Sequence, residues 1–172
     1  MKRRRLVLGS LGTVTALTVG WSLLPPRQRL NTAIPLPAGP GQAALNGWVK
    51  LGADDRVTVV MSKSEMGQGA HTGLAMLLAE EMDADWSRVA VEHSPIDKIY
   101  NNVSTVVDGL PLHPDDDGAL RQFAGWMAAK AMREAGAMVT GGSSSLKDLW
   151  LPMRQAGAAA RAMLVGAAAQ AW

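Results

Sequence analysis

The chain has 172 residues, of which 48% are hydrophobic but only 5% aromatic, so its length and composition suit one domain with a core of small side chains. It contains no cysteine, which excludes disulfides, thiolate metal sites and iron–sulfur clusters built from this chain alone. Six of its 17 basic residues precede residue 31, and the other 11 face 15 acidic residues, a net charge of −4 that argues against nucleic-acid binding.

Lys2–Arg5 are all basic and precede residues 6–24, a run of 19 residues without a charge. That length is about what a membrane-spanning helix requires, and the basic flank indicates a cytoplasmic N-terminus. Consecutive arginines before an apolar run are also typical of a twin-arginine export signal. We therefore predict a retained anchor or a cleaved signal over residues 1–30, inserted in the inner membrane through residues 6–24. A linker rich in proline and glycine, residues 31–42, then leads to a periplasmic domain over 43–172.

The first half of this domain has the pattern of a small sheet and one helix. Strand-like composition over 45–51 and 56–61, on either side of Gly52–Asp55, predicts a β-hairpin. Apolar residues at three-to-four spacing predict a helix over 70–84, and 89–93 has the composition of a third strand.

The second half is mostly helical after a long loop over 94–117. A helix is predicted over 119–136. Its apolar face consists of Leu120, Phe123, Met127, Ala131 and Met132. A further helix begins near residue 146, where Ser145 and Asp148 have the spacing of a capping box. The predicted fold class is α+β: an N-terminal membrane or signal helix, then a small sheet of a hairpin plus one strand, packed with about three helices.

A glycine-flanked glutamine turn, Ser64–Thr72, lies between a predicted strand and a predicted helix. Gly67 and Gly69 let a backbone approach a flat ligand closely, and the amide of Gln68 offers an acceptor and two donors. The next glycine is Gly73, so the spacing is not that of the dinucleotide-binding fingerprint. The spacing is also compatible with a tight structural turn that exposes its glutamine.

A second turn, Thr140–Ser145, precedes the last predicted helix and consists of glycines and hydroxyl residues. Backbone N–H groups, hydroxyls and a helix N-terminus together favour a phosphate or pyrophosphate. A flexible capped loop has the same composition.

Both turns, in this order, together with Leu77–Trp86 and Val89–Glu92, resemble the molybdenum hydroxylases of the xanthine dehydrogenase and aldehyde oxidase family. The most similar branch is the exported large subunit typified by the isoquinoline 1-oxidoreductase beta subunit, and the resemblance covers nearly all of the chain. It implies a molybdopterin cofactor, in the cytosine dinucleotide form, whose own sulfur atoms hold molybdenum. The cofactor-binding residues that it implies are Met66, Gly67, Gln68, Gly69 and Ala70 on one side and Gly142, Ser143, Ser144 and Ser145 on the other.

The resemblance also implies an activity, the oxidation of aldehydes or N-heterocycles with water as the oxygen source. Electrons would leave through a separate 2Fe-2S small subunit. The glutamate that is the family's catalytic base lies beyond residue 172, so no catalytic residue is expected in this chain, and the remaining part of the large subunit is an expected partner. The alternative is a non-catalytic membrane-tethered domain, or a split subunit that needs a separate chain to complete the active site.

Overall fold

The computed structural model describes residues 3–113 and 115–172, without the side chains of residues 4–6 and 8. Within these residues it contains five α-helices and four strands, which confirms the α+β class. In chain order they are α1 (Arg3–Leu23), β1 (Gln42–Asn46), β2 (Val49–Gly52), β3 (Val57–Met61), α2 (Ala70–Met82), β4 (Val89–His93), α3 (Val103–Asp108), α4 (Ala119–Ala135) and α5 (Ser145–Ala171).

The N-terminal helix α1 is present as predicted, but its composition is mixed. Eight of its 21 residues are Gly, Ser or Thr, and hydroxyls such as that of Thr13 donate to carbonyls of the preceding turn. Across residues 3–113 and 115–172, no helix is both long enough and apolar enough to cross a membrane. The predicted membrane-spanning helix over residues 6–24 is therefore not supported by the described residues. The predicted basic run begins at Lys2, which lies outside the described residues.

The sheet has the strand order β1-β2-β3-β4. The predicted hairpin is confirmed as the antiparallel pair β2 and β3, in which Val49 lies opposite Val59. The single strand predicted over 45–51 is in fact two strands, because the side-chain oxygen of Asn46 accepts a 2.9 Å hydrogen bond from the backbone N–H of Trp48 and turns the chain. The indole of Trp48 is buried edge-on against Tyr100.

Helix α2 joins β3 to β4, which pair in parallel, and it covers the sheet with a buried apolar stripe. Its last residue is Met82, close to the predicted end, and the C-cap residue Asp83 has the left-handed conformation. Helix α5 packs on α2 through small residues, Ala156, Gly157 and Ala160. A β-carbon on Gly157 would contact the carbonyl oxygen of Leu78, so the two backbones approach each other closely here.

Helix α4 has the predicted bounds, but its predicted apolar face does not lie in the core. Leu120 is 71% exposed and Phe123 60% exposed, and Lys130 is the buried residue of this helix. The reason is position: α4 packs beside α3, whereas the sheet is covered by α2 and α5. Within the described residues, Leu120 and Phe123 on the apolar side of α4 are therefore left uncovered.

Two segments predicted to be irregular pack on the domain. In the predicted linker 31–42, Leu36 is buried in the core, and just before it the carbonyl of Leu30 accepts a 2.8 Å hydrogen bond from Gly47. The predicted loop 94–117 contains α3 and a short 3₁₀ turn, Lys98–Tyr100.

Gly157→Ala is expected to destabilise the domain by about 1–3 kcal/mol, because the added methyl group forces α5 away from α2. Gly166→Ala is the matched control on the same helix, where an added β-carbon meets no atom within 4 Å. The control is expected to gain about 0.5–1 kcal/mol from helix propensity. Urea unfolding of both variants measures this difference, and equal stabilities would contradict the packing.

Candidate functional site

The glutamine turn, Ser64–Thr72, follows β3 and includes the first residues of α2. Its shape is set by the carboxylate of Glu65, which accepts hydrogen bonds from the backbone N–H groups of Gly67 at 2.8 Å, Gly69 at 2.9 Å and His71 at 3.0 Å. Hydrogen bonds from His71 and Gly69 lower the pKa of Glu65. The side chain of Glu65 therefore holds the turn and is engaged as an anion at the start of α2.

The amide of Gln68 closes the same turn. Its oxygen accepts from the backbone N–H of Met66 at 2.5 Å, and its nitrogen donates to the carbonyl of Ser64 at 2.8 Å. A primary amide has two N–H groups, so one donor of Gln68 remains for a ligand. The side chain has a structural role that the sequence did not indicate.

The glycines of the turn are left-handed and face open space. Gly67 has φ 91° and Gly69 has φ 74°, and a β-carbon at either position would meet no atom within 4 Å. Met66 is 68% exposed, and Ala70 is buried as the first residue of α2. The exposed side of the turn is therefore backbone that a flat ligand can approach.

The serine turn, residues 140–145, leads into α5. Gly142 and Ser143 are both left-handed, with φ 61° and 52°, and no atom lies within 4 Å of a β-carbon built on Gly141 or Gly142. The N-cap residue of α5 is Ser144, and no side chain caps the helix. Uncapped N–H groups beside an open glycine pair form a surface suited to an anion.

The structure brings the two turns together. The backbone N–H of Ser64 donates a 2.8 Å hydrogen bond to the hydroxyl of Thr140, which directly joins the glutamine turn to the serine turn. The serine turn is fixed from the other side by Asn102, whose amide donates to the hydroxyl of Ser144 at 2.7 Å and to the carbonyl of Val139 at 2.9 Å. The predicted site residues thus lie on two loops held as one unit.

Beneath the turns lies a buried charged group, the Asp148 cluster, formed by Arg29, Lys63 and Asp148. Lys63 immediately precedes the glutamine turn, and Asp148 lies three residues after Ser145. The carboxylate of Asp148 pairs with the Lys63 ammonium at 3.0 Å and the Arg29 guanidinium at 3.1 Å. The exposed fraction of these side chains is 1% for Asp148, 0% for Lys63 and 11% for Arg29.

Further donors complete the environment of Asp148. The backbone N–H groups of Val103 and Ser104 donate to its carboxylate at 2.9 and 3.2 Å. Pro152, four residues later in α5, has no N–H, so the backbone carbonyl of Asp148 is left without its helical partner and accepts from Arg29 at 3.2 Å. The proline therefore contributes directly to the cluster.

The cluster shifts the pKa of two of its members. Burial opposes ionisation of Asp148, but Arg29 and Lys63 outweigh it and lower the pKa of this carboxyl. Burial lowers the pKa of Lys63, and the charge of Asp148 offsets part of that effect.

Several residues that shape this site were missed from the sequence. The capping box predicted for Ser145 and Asp148 is wrong, because Asp148 pairs with buried cations instead of capping the helix. Arg29 lies in the predicted signal segment, and Asn102 lies in the predicted loop 94–117. The available signals were a lysine two residues after a buried strand, Lys63, and a proline, Pro152, four residues after Asp148.

Comparison with known proteins gives three matches. The molybdopterin cofactor-binding domain family matches residues 13–107. The isoquinoline 1-oxidoreductase subunit beta of Brevundimonas diminuta is 36% identical over 128 residues, which cover 74% of this chain and 13% of that protein. The membrane-bound aldehyde dehydrogenase (pyrroloquinoline-quinone) of Gluconacetobacter polyoxogenes is 31% identical over 128 residues, covering 73% of this chain and 12% of that protein. The chain therefore spans only about an eighth of the length of these relatives.

Asp148→Asn is expected to destabilise the domain by about 3–5 kcal/mol, because two buried cations lose their counter-charge. The folded pKa of Asp148 lies below its unfolded value, so its contribution is present above about pH 4 and is lost as pH falls through the folded pKa. The variant should therefore lose less stability than the native chain on acidification.

Urea unfolding between pH 2 and pH 7 measures both effects. Asp117→Asn is the matched control, since Asp117 is exposed. A loss for Asp148→Asn no larger than that of the control would contradict the structural role of the cluster.

Proposed function

The chain belongs to the molybdopterin cofactor-binding domain family, and from this premise we propose that the glutamine turn and the serine turn together hold that cofactor. The observation that carries the proposal is the hydrogen bond between Ser64 and Thr140, which makes one surface of two open glycine turns. Each turn also leads into the N-terminus of a helix, α2 or α5. A rigid, flat and anionic ligand matches such a surface in shape and charge.

The glutamine turn is proposed to hold the pterin. Its left-handed glycines, Gly67 and Gly69, allow close approach to the backbone, and the remaining N–H of Gln68 can donate to a heteroatom of the ring. Met66 and Ala70 flank this backbone, one exposed and one buried. Glu65 is engaged by three N–H groups, which supports a role in shaping the turn rather than in proton transfer.

The serine turn is proposed to hold the phosphate groups of a cytosine dinucleotide form of the cofactor. Its donors are the backbone around Gly142 and the hydroxyls of Ser143 and Ser145, beside the uncapped N-terminus of α5. The hydroxyl of Ser144 is already engaged by Asn102, Thr105 and the carbonyl of Gly141, so we assign it a positioning role.

The bound cofactor supplies the redox chemistry of molybdenum, and this chain contributes binding and orientation. For the whole protein we propose oxidation of aldehydes or N-heterocycles with water as the oxygen source. The names of the two relatives, an isoquinoline oxidoreductase subunit and an aldehyde dehydrogenase, support these substrate classes.

The proposed partners are the remaining part of the large subunit and a 2Fe-2S small subunit. Support for a covering polypeptide comes from exposed large apolar side chains on α4 and α5. They are Leu120, Phe123, Trp126 and Trp150. Aromatic side chains of this kind are enriched at protein interfaces.

We also propose that the N-terminal basic segment directs export by the twin-arginine route to the periplasm. The support is in the sequence: three arginines, Arg3, Arg4 and Arg5, precede an uncharged run. This route accepts proteins that have already folded around a cofactor.

The cofactor proposal is tested by expressing the chain in a bacterium that makes the cytosine dinucleotide cofactor. Purified chain is expected to contain pterin and molybdenum, measured by fluorescence after oxidation and by elemental analysis. Gln68→Ala should lower the pterin content at least about tenfold, because the turn loses both its closure and a donor. Gln122→Ala, a change of the same type on exposed α4, is the control and should retain the cofactor.

Two results would contradict the cofactor proposal. One is equal pterin content in native chain and Gln68→Ala. The other is release of pyrroloquinoline quinone instead of a pterin, since one relative carries that cofactor in its name.

Export is tested by fusing residues 1–42 to green fluorescent protein, which fluoresces in the periplasm when it has folded before export. Fluorescence is expected at the cell periphery for the native segment and in the cytoplasm after Arg3, Arg4 and Arg5 are replaced by lysine. The lysines retain the charge, so identical distribution of the two fusions would refute the twin-arginine route.

A further inference from the structure

A cavity of about 600 Å³ opens beside the Asp148 cluster, on the side formed by the N-terminal segment, α3 and α5. Its volume is within the range of small-molecule pockets. Its charged lining consists of Arg27, Arg29, Arg133 and Asp148, and its apolar lining includes Val103, Leu151 and Pro152. The proposed cofactor surface shares none of these residues.

The positive charge of this cavity exceeds its negative charge. Arg27 forms an ion pair with Glu134 at 3.1 Å. Asp148 is then the one remaining carboxylate near three cations, those of Arg29, Lys63 and Arg133, among the described residues. Even if Lys63 were uncharged, the two positive charges of Arg29 and Arg133 would exceed the single negative charge of Asp148. Arg133 is half-buried, and a partly buried charge without a counter-charge is costly, so an additional anion would be stabilised here.

Arg133 is the group that lacks a partner. Its Nε atom is buried and has no hydrogen-bond partner, and its guanidinium forms no ion pair within the described part of the chain. The carboxylate of Asp148 already receives donors from two cations and two backbone N–H groups, so it cannot also serve Arg133. Burial lowers the pKa of Arg133, repulsion from Arg29 adds to that effect, and the charge of Asp148 offsets only part of it.

We propose that this cavity binds a small organic carboxylate, with its charged group on Arg133 and its apolar body against Val103, Leu151 and Pro152. Guanidinium and carboxylate groups match each other in a planar, two-point hydrogen-bonded pair. The apolar lining favours an acid with a hydrocarbon or aromatic body over a small inorganic anion. This site is independent of the proposed cofactor function.

Benzoate is a suitable probe, and benzamide is its neutral counterpart of nearly the same shape. In NMR titrations of the full 172-residue chain at pH 7, benzoate is expected to bind saturably and benzamide at least about tenfold more weakly. Nuclear Overhauser effects from the benzoate ring to the methyl groups of Val103 and Leu151 are expected to locate it.

Arg133→Gln should weaken benzoate binding at least about tenfold, whereas Arg56→Gln, at an exposed arginine outside the cavity, should leave it unchanged. Absence of saturable binding, equal affinity for benzoate and benzamide, or equal affinity of the two variants would overturn the proposal. The comparison of benzoate with benzamide uses the native chain, so the test stands even if Arg133→Gln fails to fold.

Discussion

Four groups donate to the carboxylate of Asp148, and they come from parts of the chain that are far apart in sequence. Arg29 belongs to the N-terminal segment, Lys63 follows β3, and two backbone N–H groups belong to the start of α3. Buried ion pairs contribute little net stability compared with well-packed apolar groups, but loss of one partner is very costly. Such a cluster therefore favours one arrangement of the segments that supply its residues. In this arrangement the glutamine turn and the serine turn lie side by side.

The Asp148 cluster can position both turns because Lys63 immediately precedes the glutamine turn and Asp148 lies three residues after the serine turn. The ion pair between Lys63 and Asp148 fixes the start of the glutamine turn relative to α5, the helix that follows the serine turn. Within each loop, side chains hold the backbone open: Glu65 and Gln68 in the first, and Ser144 with Asn102 in the second. A ligand that binds such a surface does not have to order it, which favours affinity. Close packing of α5 on α2 at Gly157 brings both helix N-termini to the same region.

Local patterns in the sequence were sufficient to locate most elements. The helix at 70–82 and the strand at 89–93 follow from periodicity, and the two turns follow from glycine spacing. The break at Asn46 was not predicted because it depends on a side-chain hydrogen bond inside strand-like composition. The role of Asp148 was not predicted because its partners are remote in sequence, and at short range its spacing from Ser145 resembles a cap. Periodicity also cannot say which neighbour covers an apolar face, as α4 shows.

The proposed function requires the two turns to form one cofactor-binding surface. The most direct measurement is an experimental structure of the protein purified with its pterin bound. We expect the ring system to lie against Gly67–Gly69 and the phosphate groups to receive hydrogen bonds from residues 142–145. A pterin in contact with neither turn, or with one turn only, would contradict the account.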